Sequence, residues 1–207
     1  MLIRELKRCG IRSKAVLKAM QRVPRDRFVR PEHLEFAFEN RPLPIGEDQT
    51  ISQPLVVAHM TEAARIKSQD KVLEVGTGSG YQAAVLAELG ARVFSIEISP
   101  KLAKWAAENL ARAGYEDVLL RVGDGYLGWE EHSPYSAIIV TAAPDHIPQP
   151  LIEQLAIGGR LVAPVGAAGS TQDLLLAERR KRGLRTRNLG PVAFVPMTGK
   201  AVRAGAS

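Results

Sequence analysis

The chain has 207 residues, of which 45% are hydrophobic and 24% are charged, and its formal net charge is +6. These proportions are typical of a folded globular protein and exclude a disordered chain. No run of 18 apolar residues occurs, which argues against a membrane span. The charged N-terminus lacks the apolar core of a signal peptide. A single cysteine, Cys9, cannot form an intrachain disulfide, so we expect a cytoplasmic protein.

Residues 1–66 have a helical pattern that is rich in basic residues. Apolar residues recur at helical spacing over 1–40 and again over 55–66. Proline and glycine predict a loop at 41–46, which 47–54 continues. Ser52 is suited to cap the following helix. The free N–H groups of a helix N-terminus also bind anions, so this loop can equally hold a substrate carboxylate.

Short apolar strands alternate with helical stretches from residue 71 to about residue 166. This alternation predicts an α/β fold with a doubly wound, mostly parallel sheet and right-handed crossovers. Beyond residue 166, two further strands are expected to pair antiparallel. The predicted strands cover 71–75, 92–97, 118–122, 137–141, 160–165, 172–178 and 191–196, and the predicted helices cover 81–89, 100–113 and 150–156.

A glycine-rich turn, Gly76-Thr-Gly-Ser-Gly80, follows the first of these strands and precedes a helix. In a doubly wound sheet, ligands bind at this place, outside the carboxyl ends of the strands. Glu97 ends the next strand, where an acid can accept hydrogen bonds from the ribose hydroxyls of an adenosine. Asp124, followed by Gly125, ends the third strand and can accept one from the adenine amino group, although Asp-Gly is also a common turn.

Two classes of cofactor use this arrangement. A dinucleotide fingerprint needs a small residue at its sixth position, where this chain has Tyr81. Glu74, two residues before the first glycine, would repel a pyrophosphate but suits a cationic ligand. S-adenosylmethionine carries an amino group and a sulfonium and no phosphate. The charges therefore favour a Rossmann-like S-adenosylmethionine-dependent methyltransferase over a dehydrogenase.

The residues alone leave the methyl acceptor open. Methyltransferases acting on the exocyclic amines of bases often carry Asn/Asp-Pro-Pro-Tyr/Phe after the fourth strand, where this chain has Thr141-Ala-Ala-Pro144. Methylation at carbon 5 of pyrimidines needs a cysteine nucleophile, and Cys9 lies far from any strand end. Only 5% of the residues are aromatic and available for stacking on bases. A methyltransferase for RNA or a small molecule and a non-catalytic nucleic-acid-binding module remain alternatives.

Four segments resemble the protein-L-isoaspartate O-methyltransferase family, and the resemblance covers roughly residues 20–200. The resemblance implies an enzyme that uses S-adenosylmethionine to methylate the free carboxylate of isoaspartyl residues in damaged proteins and peptides, which starts their repair through a succinimide. The Thr-Ile-Ser-Gln-Pro sequence is the specific part, because many methyltransferases share the glycine loop. The matching segments are Asp48-Gln-Thr-Ile-Ser-Gln-Pro54, 72–82, Thr141-Ala-Ala-Pro144 and Gly158-Gly-Arg-Leu-Val162.

The resemblance also implies site residues in this chain, with Ser52 as the catalytic serine. The implied substrate-binding residues are Thr50, Ile51, Gln53, Thr141, Ala142, Ala143 and Val195, and the implied cofactor-binding residues are Glu74, Gly76, Thr77, Gly78, Ser79, Gly80, Glu97, Ile98, Asp124 and Gly125. We expect no metal, no specific nucleic acid, no membrane partner and a monomer. The chain departs from the family at Glu47-Asp48, where a small or aromatic residue and a glycine are common.

The predicted organisation is one methyltransferase domain in three parts. Residues 1–66 form the helical and substrate-loop segment, 67–166 form the cofactor-binding core, and 167–207 form the C-terminal strands.

Overall fold

A seven-stranded β-sheet organises the computed structural model, which describes residues 1–200. A separate two-stranded hairpin precedes this sheet in the chain. The nine strands are β1 (Leu43–Gly46), β2 (Gln49–Ile51), β3 (Lys71–Val75), β4 (Arg92–Glu97), β5 (Leu119–Val122), β6 (Tyr135–Val140), β7 (Leu155–Val165), β8 (Gln172–Arg179) and β9 (Leu184–Val192).

The strand order β5-β4-β3-β6-β7-β8-β9 confirms the predicted doubly wound α/β fold. Strands β3 to β7 run parallel, and β8 and β9 add antiparallel at one edge. The order reverses at β3, with β4 on one side and β6 on the other. Val75 in β3 pairs with Ile96 of β4 and with Val140 of β6, so the three strands end at one edge. Ligands of doubly wound sheets bind at this switch point.

Among the described residues, six α-helices accompany the strands, and α5 shows how the local sequence sets their ends. The Ser99 hydroxyl accepts a hydrogen bond from the Leu102 N–H, Pro100 occupies the first turn, and Gly114 ends the helix with φ of 84°. Within residues 1–200, no helix has the length and hydropathy needed to cross a bilayer. The helices are α1 (Leu2–Arg8), α2 (Lys14–Arg22), α3 (Pro54–Ala64), α4 (Tyr81–Glu88), α5 (Pro100–Ala113) and α6 (Gln149–Glu153).

The sheet is covered on both faces by apolar layers. Successive residues of a strand face opposite sides, so Val72 packs with residues of α3 and α4, while Leu73 and Val75 pack in a second layer with residues of β6 and α6. Strands buried on both faces are nearly continuous apolar runs. Glu74 interrupts this run, so a carboxyl group lies within the sheet near the switch point.

The segment predicted as a loop over 41–54 contains a β-hairpin instead. Strands β1 and β2 are joined by Glu47 and Asp48, whose φ angles are 52° and 55°. Positive φ at both turn residues is the geometry that suits the twist of a two-residue hairpin. The turn was not predicted because neither residue is glycine or asparagine. The interpretation of Ser52 as a helix cap is wrong, since Gln53 occupies the cap position of α3 and no side chain caps it.

The C-terminal strands differ in extent from the prediction. The helix predicted over 150–156 ends at Glu153, because Leu155 is fully buried and already pairs with Tyr135 of β6. The last strand covers Leu184–Val192 rather than 191–196. Its basic residues, Arg185 and Arg187, pair with β8 through their backbone and leave their side chains exposed.

Candidate active site

A cavity opens at the switch point, outside the carboxyl ends of β3, β4 and β6. Its walls come from the turns after these strands, from the hairpin β1–β2 and from residues 195–198. Most of the predicted site residues line it. They are Thr50, Ile51, Ser52, Glu74, Gly76, Thr77, Gly78, Ser79, Glu97, Ile98, Gly125, Thr141, Ala142 and Val195.

The glycine loop, residues 76–80, needs its glycines for conformation and for close approach. Gly76 has φ of 96°, and a Cβ there would lie only 2.4 Å from the Thr141 Oγ1. A side chain would therefore separate the turns that follow β3 and β6. Gly80, with φ of 90°, is the residue before α4, and a Cβ there would lie 3.1 Å from the Leu110 Cγ of α5.

Glu97 is held at the end of β4 by two backbone groups. Its Oε2 accepts a hydrogen bond from the Gly78 N–H at 2.8 Å, and its Oε1 accepts one from the Ser99 N–H at 3.0 Å. A carboxylate has about four acceptor positions. Glu97 therefore keeps the capacity to accept hydrogen bonds from two hydroxyl groups of a ligand.

Glu74 is a fully buried acid in the cavity wall. Its Oε2 accepts a hydrogen bond from the Ser95 hydroxyl, which lies 2.6 Å from the Thr77 Oγ1. Its Oε1 has no hydrogen-bond partner within residues 1–200. Burial raises the pKa of Glu74 to about 8. The carboxyl group is therefore mainly protonated at neutral pH, and a cationic ligand would favour its ionised form.

The charged residues that line the cavity are all acids. They are Glu47, Glu74 and Glu97, and no lysine or arginine of the described chain lines it. A pyrophosphate would meet these carboxyl groups without a compensating cation, whereas an amino group or a sulfonium would be attracted. The lining fits S-adenosylmethionine, and it gives no support to a dehydrogenase that binds a dinucleotide.

The substrate loop, residues 50–53, forms another wall of the same cavity. Strand β2 carries its first two residues, and the half-buried Ser52 follows them. At the tip of the hairpin, the Lys101 Nζ lies 3.2 Å from the Glu47 Oε1 and ties the hairpin to α5. The structure thus brings the Ser52 loop and the glycine loop to one cavity.

Other predicted residues lie behind the lining. Gln53 donates a hydrogen bond from its side chain to the Asn40 carbonyl at 2.8 Å. Asp124 accepts hydrogen bonds from two backbone N–H groups, and Ala143 bonds to the backbone of residues 195–197. Their contacts support the walls of the cavity, and their roles towards a ligand stay predictions. Those outside the lining are Gln53, Gly80, Asp124 and Ala143.

Sequence reasoning missed several lining residues. Tyr81 was considered only for its bulk, yet its buried ring lines the cavity together with Gln82. Their position in the first turn of the helix after the glycine loop is the sequence feature that could have identified them as lining residues. Thr198 also lines the cavity, and it was missed because it belongs to no regular pattern.

Comparisons with known proteins agree with this geometry. The family model described as protein-L-isoaspartate(D-aspartate) O-methyltransferase matches residues 1–202. A curated relative from Gloeobacter violaceus, named protein-L-isoaspartate O-methyltransferase, is 54% identical over 198 residues, which are 96% of this chain and 97% of the relative.

Two solved structures are similar over nearly the whole chain. One, titled protein-L-isoaspartate O-methyltransferase, superposes with a TM-score of 0.88 at 32% identity. The match covers 97% of this chain and 66% of the chain in that structure. The other is a putative protein-L-isoaspartate O-methyltransferase from Plasmodium falciparum in complex with S-adenosyl-L-homocysteine. Its TM-score is 0.83 at 26% identity, and the match covers 95% of this chain and 96% of the chain in that structure. The chain belongs to the protein-L-isoaspartate(D-aspartate) O-methyltransferase family.

Proposed function

We propose that this cavity performs the reaction for which the family is named, the transfer of a methyl group from S-adenosylmethionine to the free carboxylate of an isoaspartyl residue. The relative that is 54% identical bears the name of this activity, and the Plasmodium structure is a complex with the product form of the cofactor. The observation that carries the assignment of the site is that one cavity, with only acids among its charged lining residues, joins the glycine loop and the Ser52 loop.

The acceptor needs orientation more than activation. Carboxyl groups titrate near pH 4, so the acceptor is already an anion at neutral pH and no strong general base is required. Ser52 can donate its hydroxyl hydrogen to one carboxylate oxygen and so fix the direction of the other. Good alignment of two reactants contributes several kcal/mol, up to about 7–11 in favourable cases.

The cofactor residues divide the binding of S-adenosylmethionine. This cofactor would supply a methyl group on a sulfonium sulfur, and the sulfur leaves as a neutral thioether when the methyl group is transferred. Glu97 would accept hydrogen bonds from the ribose hydroxyls, and Glu74 would offer the cationic part its negative charge and the oxygen that has no partner within residues 1–200. The glycine loop lets the backbone approach closely. Gly80 and Asp124 hold the surrounding turns.

The acceptor side of the cavity is formed by the substrate loop and the segments after β6 and β9. Thr50, Ile51, Thr141, Ala142 and Val195 line it and would contact the isoaspartyl peptide. Isoaspartyl-containing proteins and peptides are the partners that this arrangement serves. We place the protein in the cytoplasm, in keeping with its single cysteine, and we expect it to act as a monomer.

The test compares two peptides of the same sequence, one with an isoaspartyl and one with an aspartyl residue. We expect base-labile methyl label on the isoaspartyl peptide only. A total RNA sample and a set of small carboxylic and amino compounds serve as further acceptors. Label on RNA or on a small molecule, with none on the isoaspartyl peptide, would contradict this function and support a methyltransferase for RNA or for a small molecule.

A further inference from the structure

Arg25 is a buried cation close to the active-site cavity. It lies in the short 3₁₀ helix Arg25–Phe28, and only 1% of it is exposed. Burial of a guanidinium costs free energy unless a partner compensates its charge. No carboxylate within residues 1–200 forms an ion pair with Arg25. Its charge therefore has no counter-ion in the described protein.

The contacts of Arg25 reach both sides of the cavity. Its Nη2 donates a hydrogen bond to the Ser52 carbonyl at 2.9 Å, and its Nε donates one to the Ala37 carbonyl at 2.9 Å. Its Cζ lies 4.7 Å from the centre of the Tyr81 ring, which follows the glycine loop. The remaining nitrogen, Nη1, is buried and has no partner within residues 1–200. One side chain thus connects the substrate loop to the start of α4.

The charge of Arg25 matches a need that the cavity lining leaves unmet. Burial lowers the pKa of Arg25 to about 10, so the guanidinium stays protonated at neutral pH. The acceptor carboxylate must enter a cavity whose charged lining residues are all glutamates. Ser52 and Tyr81, which Arg25 contacts, line this cavity, so its positive charge lies directly behind the wall that receives the anion.

We propose that Arg25 is a positioning residue for the acceptor: its guanidinium holds the Ser52 carbonyl in place, and its uncompensated charge favours a carboxylate over a neutral group in the cavity. The proposal rests on the role assigned to Ser52 in the proposed function. It gives Arg25 no contact with the reacting atoms. The N-terminal segment thereby contributes to substrate selection and not only to packing.

The test measures how well the enzyme distinguishes a carboxylate from its uncharged analogue. The two ligands are an isoaspartyl peptide and the same peptide with an isoasparaginyl carboxamide. Their binding is compared in the wild type, Arg25→Gln and Arg25→Lys. Calorimetry measures the binding of the cofactor product S-adenosylhomocysteine to the same three proteins. We expect Arg25→Gln to lose about tenfold or more of the carboxylate preference. Arg25→Lys keeps the charge and should keep the preference for the carboxylate. Its KM for the isoaspartyl peptide should rise, because one ammonium cannot reproduce the hydrogen bonds to both the Ser52 and the Ala37 carbonyls.

Arg30 provides a matched control. Its Nε donates to the Ile45 carbonyl at 2.7 Å and its Cζ lies 3.7 Å from the Trp105 ring centre, but it does not contact Ser52. Arg30→Gln should therefore leave the carboxylate preference unchanged. The proposal is overturned if folded Arg25→Gln keeps the wild-type preference for the carboxylate. It is also overturned if this variant loses S-adenosylhomocysteine binding as much as peptide binding, or if neither Arg25 variant folds. In these last two cases Arg25 is only structural.

The same experiment separates this proposal from the proposed function. Wild-type enzyme that does not methylate the isoaspartyl peptide contradicts the function itself. Wild-type enzyme that methylates this peptide, combined with Arg25 variants that behave like Arg30→Gln, contradicts the role of Arg25 alone.

Discussion

At the scale of single residues, the hydroxyl group of Ser52 provides the most direct test of the chemistry. A hydrogen bond to a charged group contributes about 1.5–3 kcal/mol, so Ser52→Ala should lower kcat on an isoaspartyl peptide about 10- to 100-fold. The affinity for S-adenosylhomocysteine should change by less than about twofold, because the cofactor residues remain. Initial rates and calorimetry measure the two effects. Ser170→Ala, in an exposed turn, is the control, and wild-type kcat in Ser52→Ala would refute the role.

Glu74 should couple cofactor binding to pH. Burial, together with the nearby charge of Glu97, raises its pKa to about 8. Below pH 8 the ligand-free protein holds a proton on Glu74, and a cationic ligand favours the form without it. Binding of S-adenosylmethionine should therefore release a proton, and the affinity should increase as the pH rises towards 8 and then level off.

Calorimetry in buffers with different ionisation enthalpies counts the released protons. Glu74→Gln, which cannot ionise, should remove the buffer dependence and flatten the pH profile between pH 6 and 8. An unchanged buffer dependence in this variant would assign the proton to another group.

At the scale of secondary-structure elements, the turn of the hairpin β1–β2 stores strain. Glu47 and Asp48 both adopt positive φ, which costs an L-residue about 1–2 kcal/mol, less for aspartate. Asp48→Gly should therefore stabilise the protein by about 0.5–1 kcal/mol, after the greater flexibility of glycine in the unfolded chain is deducted. Denaturant unfolding measures this gain. Asp48→Ala keeps a Cβ and should give no gain, so equal stabilisation by both variants would exclude strain as the cause.

The elements that the sequence predicted well are those with redundant local signals. The ends of α5 follow from Ser99, Pro100 and Gly114, and β3 is an apolar run that leads directly into a glycine loop. The fold class and the two loops that meet at the cavity could therefore be predicted. Such signals do not depend on distant parts of the chain, which explains why they can be recognised before the fold is known.

The elements that were missed depend on tertiary contacts. Strand β9 is polar and exposed and forms because its backbone pairs with β8, so it has no hydrophobic pattern. Arg25 has the appearance of a surface residue in a basic segment, and only the packing of the N-terminal segment against Tyr81 reveals its burial. Asp124 follows β5 rather than ending it, and the backbone N–H of Lys200, far along the chain, donates to its carboxylate.

At the scale of the whole molecule, the positive net charge and the acidic cavity lie on different surfaces. Arg185 and Arg187 are exposed on the edge strand β9. Burial, and then the charge of Arg65, lowers the pKa of Arg160 on β7. These arginines contribute to the overall charge of +6 without lining the cavity, whose charged lining residues are glutamates.

Ligand binding at the switch point should stabilise the entire fold, because the cavity is formed by segments from both halves of the chain. A ligand at 100 times its Kd stabilises the native state by about 2.7 kcal/mol. For a domain of this size, that free energy corresponds to a rise in Tm of about 5–11 °C. Saturating S-adenosylhomocysteine should produce this shift in the wild type, as measured by calorimetric or fluorescence melting.

Glu97→Ala should lose most of this stabilisation at the same ligand concentration. The variant removes the acceptor of the ribose hydroxyls and also frees the Gly78 and Ser99 N–H groups, so its Kd for the ligand rises. Glu108→Ala, on the exposed side of α5, is the matched control and should keep the full shift. Because each variant is compared with its own ligand-free Tm, a general loss of stability does not imitate the effect. Equal shifts in Glu97→Ala and in the wild type would mean that the adenosine lies away from the end of β4.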